Sequence, residues 1–352
     1  MSNPSTAVII LNWNGEKLLQ EFLPSVIAHT PREKGRVIVA DNGSTDNSVA
    51  WLRESCPEVE LMLFPRNYGF AEGYNRAISA VKDRYEYVVL LNSDVAVKND
   101  WLTPLVDCLA DNPDIAACQP KLLSYREPHL FEYAGASGGF IDRHGYPFCR
   151  GRIFATCESD NGQYDTPLTV DWASGAALAV KTEVYLKAGG LDSGFFAHME
   201  EIDLCWRIRR MGLKVAVVPQ SRVYHLGGGS LPPSDPRKTY LNYRNNLLML
   251  HKNLPAGVRD RVIFKRMVLD GVAWAKEVAT MKWANASAIV RAHNDFRKMK
   301  KVTSESGNLS HAADMATQCY EIMKSRPDII SGYFIKGKHK FSDYNLISGH
   351  RS

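Results

Sequence analysis

The stretch Tyr87-Val-Val-Leu-Leu-Asn-Ser-Asp-Val95 runs five apolar or aromatic residues straight into an amide, a hydroxyl and a carboxylate. A short apolar run bounded by turn-forming polar residues reads as a fully buried strand. Ending it on Asp94 sets a charge at the rim of a sheet, where open α/β folds keep their ligands. Working outward, Ala7–Leu11, Arg36–Ala40 and Val59–Phe64 read as further strands, and 115–118 as a short one. Helical patterns fill 15–29, 46–55 with Asp46 as its N-cap, 69–82 and 101–110. Strand and helix in alternation predict a parallel sheet covered by helices.

Residues 120–170 are rich in Gly, Pro, Tyr and Arg without clean periodicity, which suits short strands and loops. Strand-like runs return at 172–180 and 214–218, helices are expected at 182–189 and 201–211, and 240–325 reads mainly as helix. In 261–293, Phe264, Met267, Val268, Val272, Val278 and Met281 fall near one face, which predicts a helix packed on the core, with docking on an anionic membrane as the alternative.

The 352 residues are 45% hydrophobic and 23% charged, a globular composition without repeats. The N-terminus lacks the pattern of a signal peptide, and no apolar run is long enough for a membrane span. The seven cysteines (Cys56, Cys108, Cys118, Cys149, Cys157, Cys205, Cys319) form no CxxC pair, so free thiols in a reducing cytosol are expected. From residue 251 onward there are 18 Lys and Arg against 9 Asp and Glu, so a basic tail follows a mildly acidic body. Such a tail suits an anionic membrane surface or a phosphorylated acceptor. It lacks the interleaved aromatics of a nucleic-acid binder, and no nucleic-acid partner is expected.

Several strands end on polar side chains at one edge of such a sheet: Asn12 after the first, Asp41 after the second, and Asn92, Ser93 and Asp94 after Leu91. No G-x-G-x-x-G and no Walker loop follows the first strand, so nucleotide recognition falls to side chains. Asp41 could accept a hydrogen bond from a base imide, and Asn92-x-Asp94 offers hard oxygen ligands for Mg2+ or Mn2+ against a diphosphate. Glu200, Glu201 and Asp203 cluster at a helix start, either as charge compensation for the helix dipole or as a general base. His225, set before Gly227-Gly228-Gly229, is a candidate metal ligand.

The ordered set VIILNWNG, VADNGSTD, NYGFAEGYN, LLNSDV, ASGAALAVK, EEIDLCWR and HLGGGS, covering about residues 5–250, resembles a family 2 glycosyltransferase, most closely its bacterial rhamnosyltransferase-type branch. The resemblance implies a GT-A fold with a central, mostly parallel sheet. Residues 1–235 would form the transferase domain (a nucleotide-sugar half to about 118, an acceptor and catalytic half from 119), 236–325 a helical extension, and 326–352 a loosely ordered basic tail. It implies an inverting transfer of rhamnose or a hexose from a dTDP or UDP donor to a growing polysaccharide or lipid-linked glycan. The enzyme would be cytoplasmic or peripheral on the inner face of the membrane. The alternative is a catalytically silent carbohydrate-binding or nucleotide-binding protein of the same fold. Asp41 would contact the base, with Asn12, Asn67, Gly69, Asn75, Asn92 and Ser93 around the donor nucleotide. Trp172, Ser174, Gly175 and Arg207 would meet donor sugar and acceptor, Asp94 and His225 would hold the metal, and the Glu200–Glu201 pair would supply the base, with Asp203 as a further candidate. Two positions depart from the family pattern: Asn92 stands where the metal motif usually has Asp, and Glu201 where the acidic pair usually has Asp.

Overall fold

The computed structural model describes residues 5–227, 235–300 and 310–344. The first half alternates β1 (Thr6–Asn12), α1 (Glu16–His29), β2 (Gly35–Asp41), α2 (Ser48–Ser55), β3 (Glu60–Leu63), α3 (Phe70–Val81) and β4 (Tyr87–Leu91). β5 (Val95–Val97), α4 (Thr103–Asp111) and β6 (Ile115–Ser124) follow. A small antiparallel sheet is built from β7 (Gly139–Ile141), β8 (Pro147–Cys149), β9 (Arg152–Ile153) and β10 (Thr156–Cys157). The chain then returns to the main sheet through β11 (Leu168–Val170), β12 (Ala177–Lys181), α5 (Thr182–Lys187), α6 (Glu200–Arg210) and β13 (Lys214–His225).

The main sheet runs β11-β13-β6-β12-β4-β1-β2-β3, with β5 paired to β13. β3, β2, β1 and β4 are parallel, so Asn12 and Asp41 come out side by side in register at one edge. β12 inserts antiparallel between β4 and β6 and makes the sheet mixed. All five residues of β4 are buried, because it lies mid-sheet with helices over both faces. Burying each of its Val and Leu side chains stabilises the fold by about 1.5–3 kcal/mol. Asp46 serves two helices at once: Oδ2 accepts from the Glu16 amide at 3.0 Å and Oδ1 from the Ser48 amide at 3.1 Å.

β6 and β13 are longer than their apolar runs suggest. Pro120 and Pro219 interrupt both patterns, and the pair absorbs them at a register shift between Val218 and Arg222, beyond which pairing resumes to His225.

The extension comprises α7 (Pro236–Asn253), α8 (Ala256–Ala279), α9 (Trp283–Met299), α10 (Ser310–Ser325) and α11 (Ile329–Phe334). The 261–293 stretch is two helices, broken at Met281 with φ 56°. α8 buries Val262, Ile263, Arg266 and Asp270 and packs Met267 against the core, while Phe264, Val268 and Val272 point outward, so the predicted row is divided between core and surface. Nor is the chain from 326 to 344 loose. Ile329 and Phe341 are buried, the Phe341 ring lies 5.3 Å from that of Phe140, and the Phe341 amide donates to Glu158 at 2.9 Å. Alternating Lys and Gly conceal this docking at the sequence level. Residues 345–352 of the expected tail, and Gly228, Gly229 and Ser230 of the glycine motif, lie outside the described residues. All seven cysteines are free, and no helix among the described residues is long and apolar enough to cross a membrane.

Candidate active site

The pairing of β5 with the end of β13 puts Val95 opposite His225, and this brings the histidine to Asp94. His225 Nε2 lies 3.1 Å from Asp94 Oδ1 and 3.4 Å from the Asn92 amide nitrogen, and Nδ1 lies 3.4 Å from Glu132 Oε1. All three charged residues are buried. Burial pulls the His225 pKa down, but Asp94 and Glu132 outweigh it and lift it to about 10, so the imidazole is protonated at neutral pH. For Asp94, burial works to raise the carboxyl and the His225 contact more than reverses it, leaving the pKa below the ordinary value. The Asp94 carboxylate oxygen and the His225 imidazole nitrogen converge, two ligands that fit a divalent cation taking the place of the shared proton, while Asn92 turns its amide nitrogen to the ring. The protein set is partial: among the described residues no group of three or more His, Cys, Asp or Glu is arranged to hold a metal. Phosphate oxygens would complete it. Ser93 sits half-buried in the same turn.

Glu132 escaped the sequence reading. It falls in a stretch without periodicity, yet it braces His225 from behind and accepts from the Ala134 amide.

The acidic pair opens α6. The approach to it is strained: Phe196, His198 and Met199 all have left-handed φ, at 67°, 68° and 75°. Such non-glycine conformations cost about 1–3 kcal/mol each and persist only where the surroundings enforce them. α7 enforces them here. Arg244 Nη2 donates to the Phe195 carbonyl at 2.8 Å, and Asn245 Nδ2 reaches the carbonyls of Phe195, Ala197 and His198 at 2.9, 2.8 and 2.7 Å. Neither residue carries a sequence signal, because an Arg-Asn pair within a polar helix looks like surface.

Glu200 is buried, whereas Glu201 is half-buried and faces Gly175, where a Cβ would sit 3.5 Å from that of Glu201. Each has a buried carboxylate oxygen with no protein partner. Burial lifts the Glu201 pKa to about 7 against the pull of the amides at the helix start. Burial and then the charge of Glu201 raise Glu200 well above the usual range. Asp203 does not join them. Its Oδ2 accepts from Arg207 at 2.8 Å and Lys252 at 2.9 Å, and its Oδ1 from Asn253 at 2.8 Å. Arg207 is committed with it, bonding Asp203 and the carbonyls of Ala188 and Gly190. Both residues tie α6 down and do not reach the site.

Where β1 and β2 end, Asp41 Oδ2 accepts from Asn12 at 3.0 Å and Oδ1 from the Ser44 amide at 2.9 Å, leaving a buried Asn12 oxygen unpartnered. The turn beyond requires Gly43: at φ 75° a Cβ there would lie 2.5 Å from the Arg66 backbone. Asn42, which the sequence did not single out, bonds Asn67, the Gly69 carbonyl and the Tyr68 amide at 3.0 Å each, and so shapes the 67–69 loop. A cleft of about 390 Å³ runs from Asn67, Tyr68 and Gly69 to Ser193 and Phe196, on the loop leading to the acidic pair. Asn75 is not part of it, because its amide is spent on Tyr185 and Leu191. Trp172 is also turned away, its buried indole donating to the Phe140 carbonyl at 3.0 Å. Ser174 is buried and donates to the Ala134 carbonyl, so the turn that braces His225 and the Gly175–Glu201 contact share one wall.

Residues 7–160 match the family model "Glycosyl transferase family 2". Over that stretch the chain is similar to the family 2 glycosyltransferases. The chain is 26% identical over 234 residues to an N-acetylglucosaminyl-diphospho-decaprenol L-rhamnosyltransferase of Mycobacterium tuberculosis, covering 62% of this chain and 75% of that protein. It is 24% identical over 260 residues to the dTDP-rhamnosyl transferase RfbF of Shigella flexneri, covering 71% and 81%. Among solved structures it is similar to the mannosyltransferase PcManGT from Pyrobaculum calidifontis in complex with GDP-Man and Mn2+ (TM-score 0.52, 17% identity, 92% of this chain and 84% of that one). The fold is GT-A, and the resemblance to the rhamnosyltransferase branch of family 2 glycosyltransferases holds. The family match ends at residue 160, before the acidic pair, so the geometry of α6 is this chain's own testimony.

Proposed function

We propose that the enzyme transfers rhamnose, or a related hexose, from a dTDP or UDP donor to a lipid-linked or growing glycan at the cytoplasmic face of a membrane, inverting the anomeric centre. The observation that carries the chemistry is Glu201, a half-buried carboxylate with a pKa near 7 on the wall that continues to Asp94 and His225. A base poised at the working pH is half ionised and takes up a proton readily. Glu201 accepts the proton of the acceptor hydroxyl as that oxygen forms its bond to C1 and the bond from C1 to the diphosphate breaks. Glu200 beside it is buried and its carboxyl is held well above the usual range, by burial first and then by the charge of Glu201. Asp94 and His225 would hold Mg2+ or Mn2+, which when bound stabilises the departing diphosphate electrostatically. Asn92 in place of a carboxylate lowers the charge of that site and weakens its hold on the ion. Asn67 and Gly69 face the nucleotide, and Asp41 fixes Asn12 at the same edge.

Calorimetric titration with dTDP and UDP, each with and without Mn2+, tests the donor site. Tight binding of one nucleotide only with metal, lost in Asp94→Ala, supports the reading; binding of neither overturns it. Transfer from dTDP-rhamnose or a UDP-hexose to a polyprenyl-diphosphate N-acetylglucosamine acceptor then identifies the sugar, and the product's anomeric configuration reports inversion.

A further inference from the structure

Nine of the fifteen exposed large apolar side chains among the described residues lie beyond residue 260, in the helical extension. Three of them form a row on α8: Phe264, Val268 and Val272 are 68%, 53% and 66% exposed at four-residue spacing. At about 100° per residue, Arg261, Lys265, Ala275, Lys276 and Ala279 fall on the same outward arc. All five are exposed, and no carboxylate falls among them. Asp260 stands at the flank beside Arg259, and Glu277 lies on the opposite side, bonded to Asn285 at 3.2 Å. The row continues onto a second element. Lys276 Nζ lies 5.7 Å from the Phe334 ring centroid, and Phe334 and Ile335 are 60% and 79% exposed at the end of α11. Lys336 and Lys340 follow on the surface, with Asp343 the carboxylate beyond them.

An apolar row with basic residues interleaved and acids excluded is the make-up of a helix that lies in the interface of an anionic bilayer. A second copy of the chain fits poorly. A twofold contact through this face would set Arg261, Lys265 and Lys276 against like charges. Lys336 and Lys340, exposed just beyond Phe334 and Ile335, add positive charge next to that corner, as an acidic headgroup surface requires.

We infer that the outward face of α8, together with the Phe334–Ile335 corner, docks the enzyme on anionic lipid, with Phe264, Val268 and Val272 entering the headgroup boundary. The inference deepens the lipid-linked acceptor reading and rests on it for its purpose. The two fail separately, because docking is read without turnover and transfer can be read on a soluble short-chain acceptor without lipid.

The test is co-sedimentation of the full chain with vesicles of phosphatidylcholine alone or mixed equally with phosphatidylglycerol, at low and high salt. Binding is expected only to the mixed vesicles and is expected to weaken with salt. Reversing two charges (Lys265→Glu with Lys276→Glu) removes at least about 30-fold in partition, from roughly fivefold per basic residue. The variant Val268→Glu with Val272→Glu, at exposed positions on a helix that carries none of the site residues, abolishes binding while leaving transfer to the soluble acceptor unchanged. Equal binding to both vesicle types, no binding by the wild type, or full retention in both folded variants overturns the proposal. A dimer in solution that Val268→Glu dissolves would also overturn it, assigning the face to a second copy.

Discussion

Glu201→Gln separates two consequences of one buried carboxylate. With the folded pKa near 7 and the unfolded value at the ordinary 4.5, the native state holds a proton that the unfolded chain has lost between those pH values. Stability from this group is therefore intact below pH 4.5 and falls as pH rises towards 7. Above 7 the full cost applies, about 3 kcal/mol at 1.36 kcal/mol per pKa unit and smaller to the extent that water reaches the half-buried side chain. The glutamine variant lacks this penalty. Urea denaturation should show it level with wild type at pH 4.5 and more stable at pH 8 by up to about 3 kcal/mol, with unchanged m-value. Its transfer rate should drop by about 10²–10⁴, the usual contribution of a general base. A stability difference that does not change with pH, or a variant that keeps its rate, would refute the assignment.

For the wild type, kcat/KM should climb through about pH 7 as Glu201 ionises and level off above it, read with saturating metal. Glu132→Gln leaves the Nδ1 side of His225 without its carboxylate; Mn2+ affinity, measured by electron paramagnetic resonance without donor, should fall about 10- to 100-fold while the fold stays intact. Asn245→Ala frees three carbonyls of the strained loop, and a stability loss of about 1–3 kcal/mol by thermal denaturation should accompany a lowered kcat with KM for the donor little changed. Gly43→Ala forces a side chain into the Arg66 backbone at a left-handed φ and should weaken dTDP or UDP binding by calorimetry, together with the melting temperature.

What the sequence disclosed was the part that obeys period and punctuation. The apolar runs before Asn12, Asp41 and Asn92 gave the parallel strands and the edge where their side chains gather, and the resemblance put His225 with Asp94. What it concealed depends on contacts between distant segments. Glu132 reaches His225 from a loop without pattern, and Asn42 shapes the 67–69 loop through an amide that reads as ordinary turn chemistry. Trp172, Asn75 and Arg207 were drawn to the site by their motifs, but burial and saturated hydrogen bonding show them holding the frame instead. Proximity along the chain to a catalytic motif does not tell which way a side chain turns. The outward row on α8 was visible as an amphipathic pattern, yet only exposure separates a face awaiting a surface from one pressed on a core.

The grip of Arg244 and Asn245 on the 194–198 loop bears on where this enzyme can be cut and recombined. A split near residue 235 looks natural, since the sheet is complete there and helices follow. The clamp makes the acidic pair and the first extension helix one inherited unit: a chimera that takes α7 from a relative must take the approach to α6 with it. The outward face of α8 can thus vary on its own, but α7 cannot be exchanged without disturbing the approach to Glu200 and Glu201.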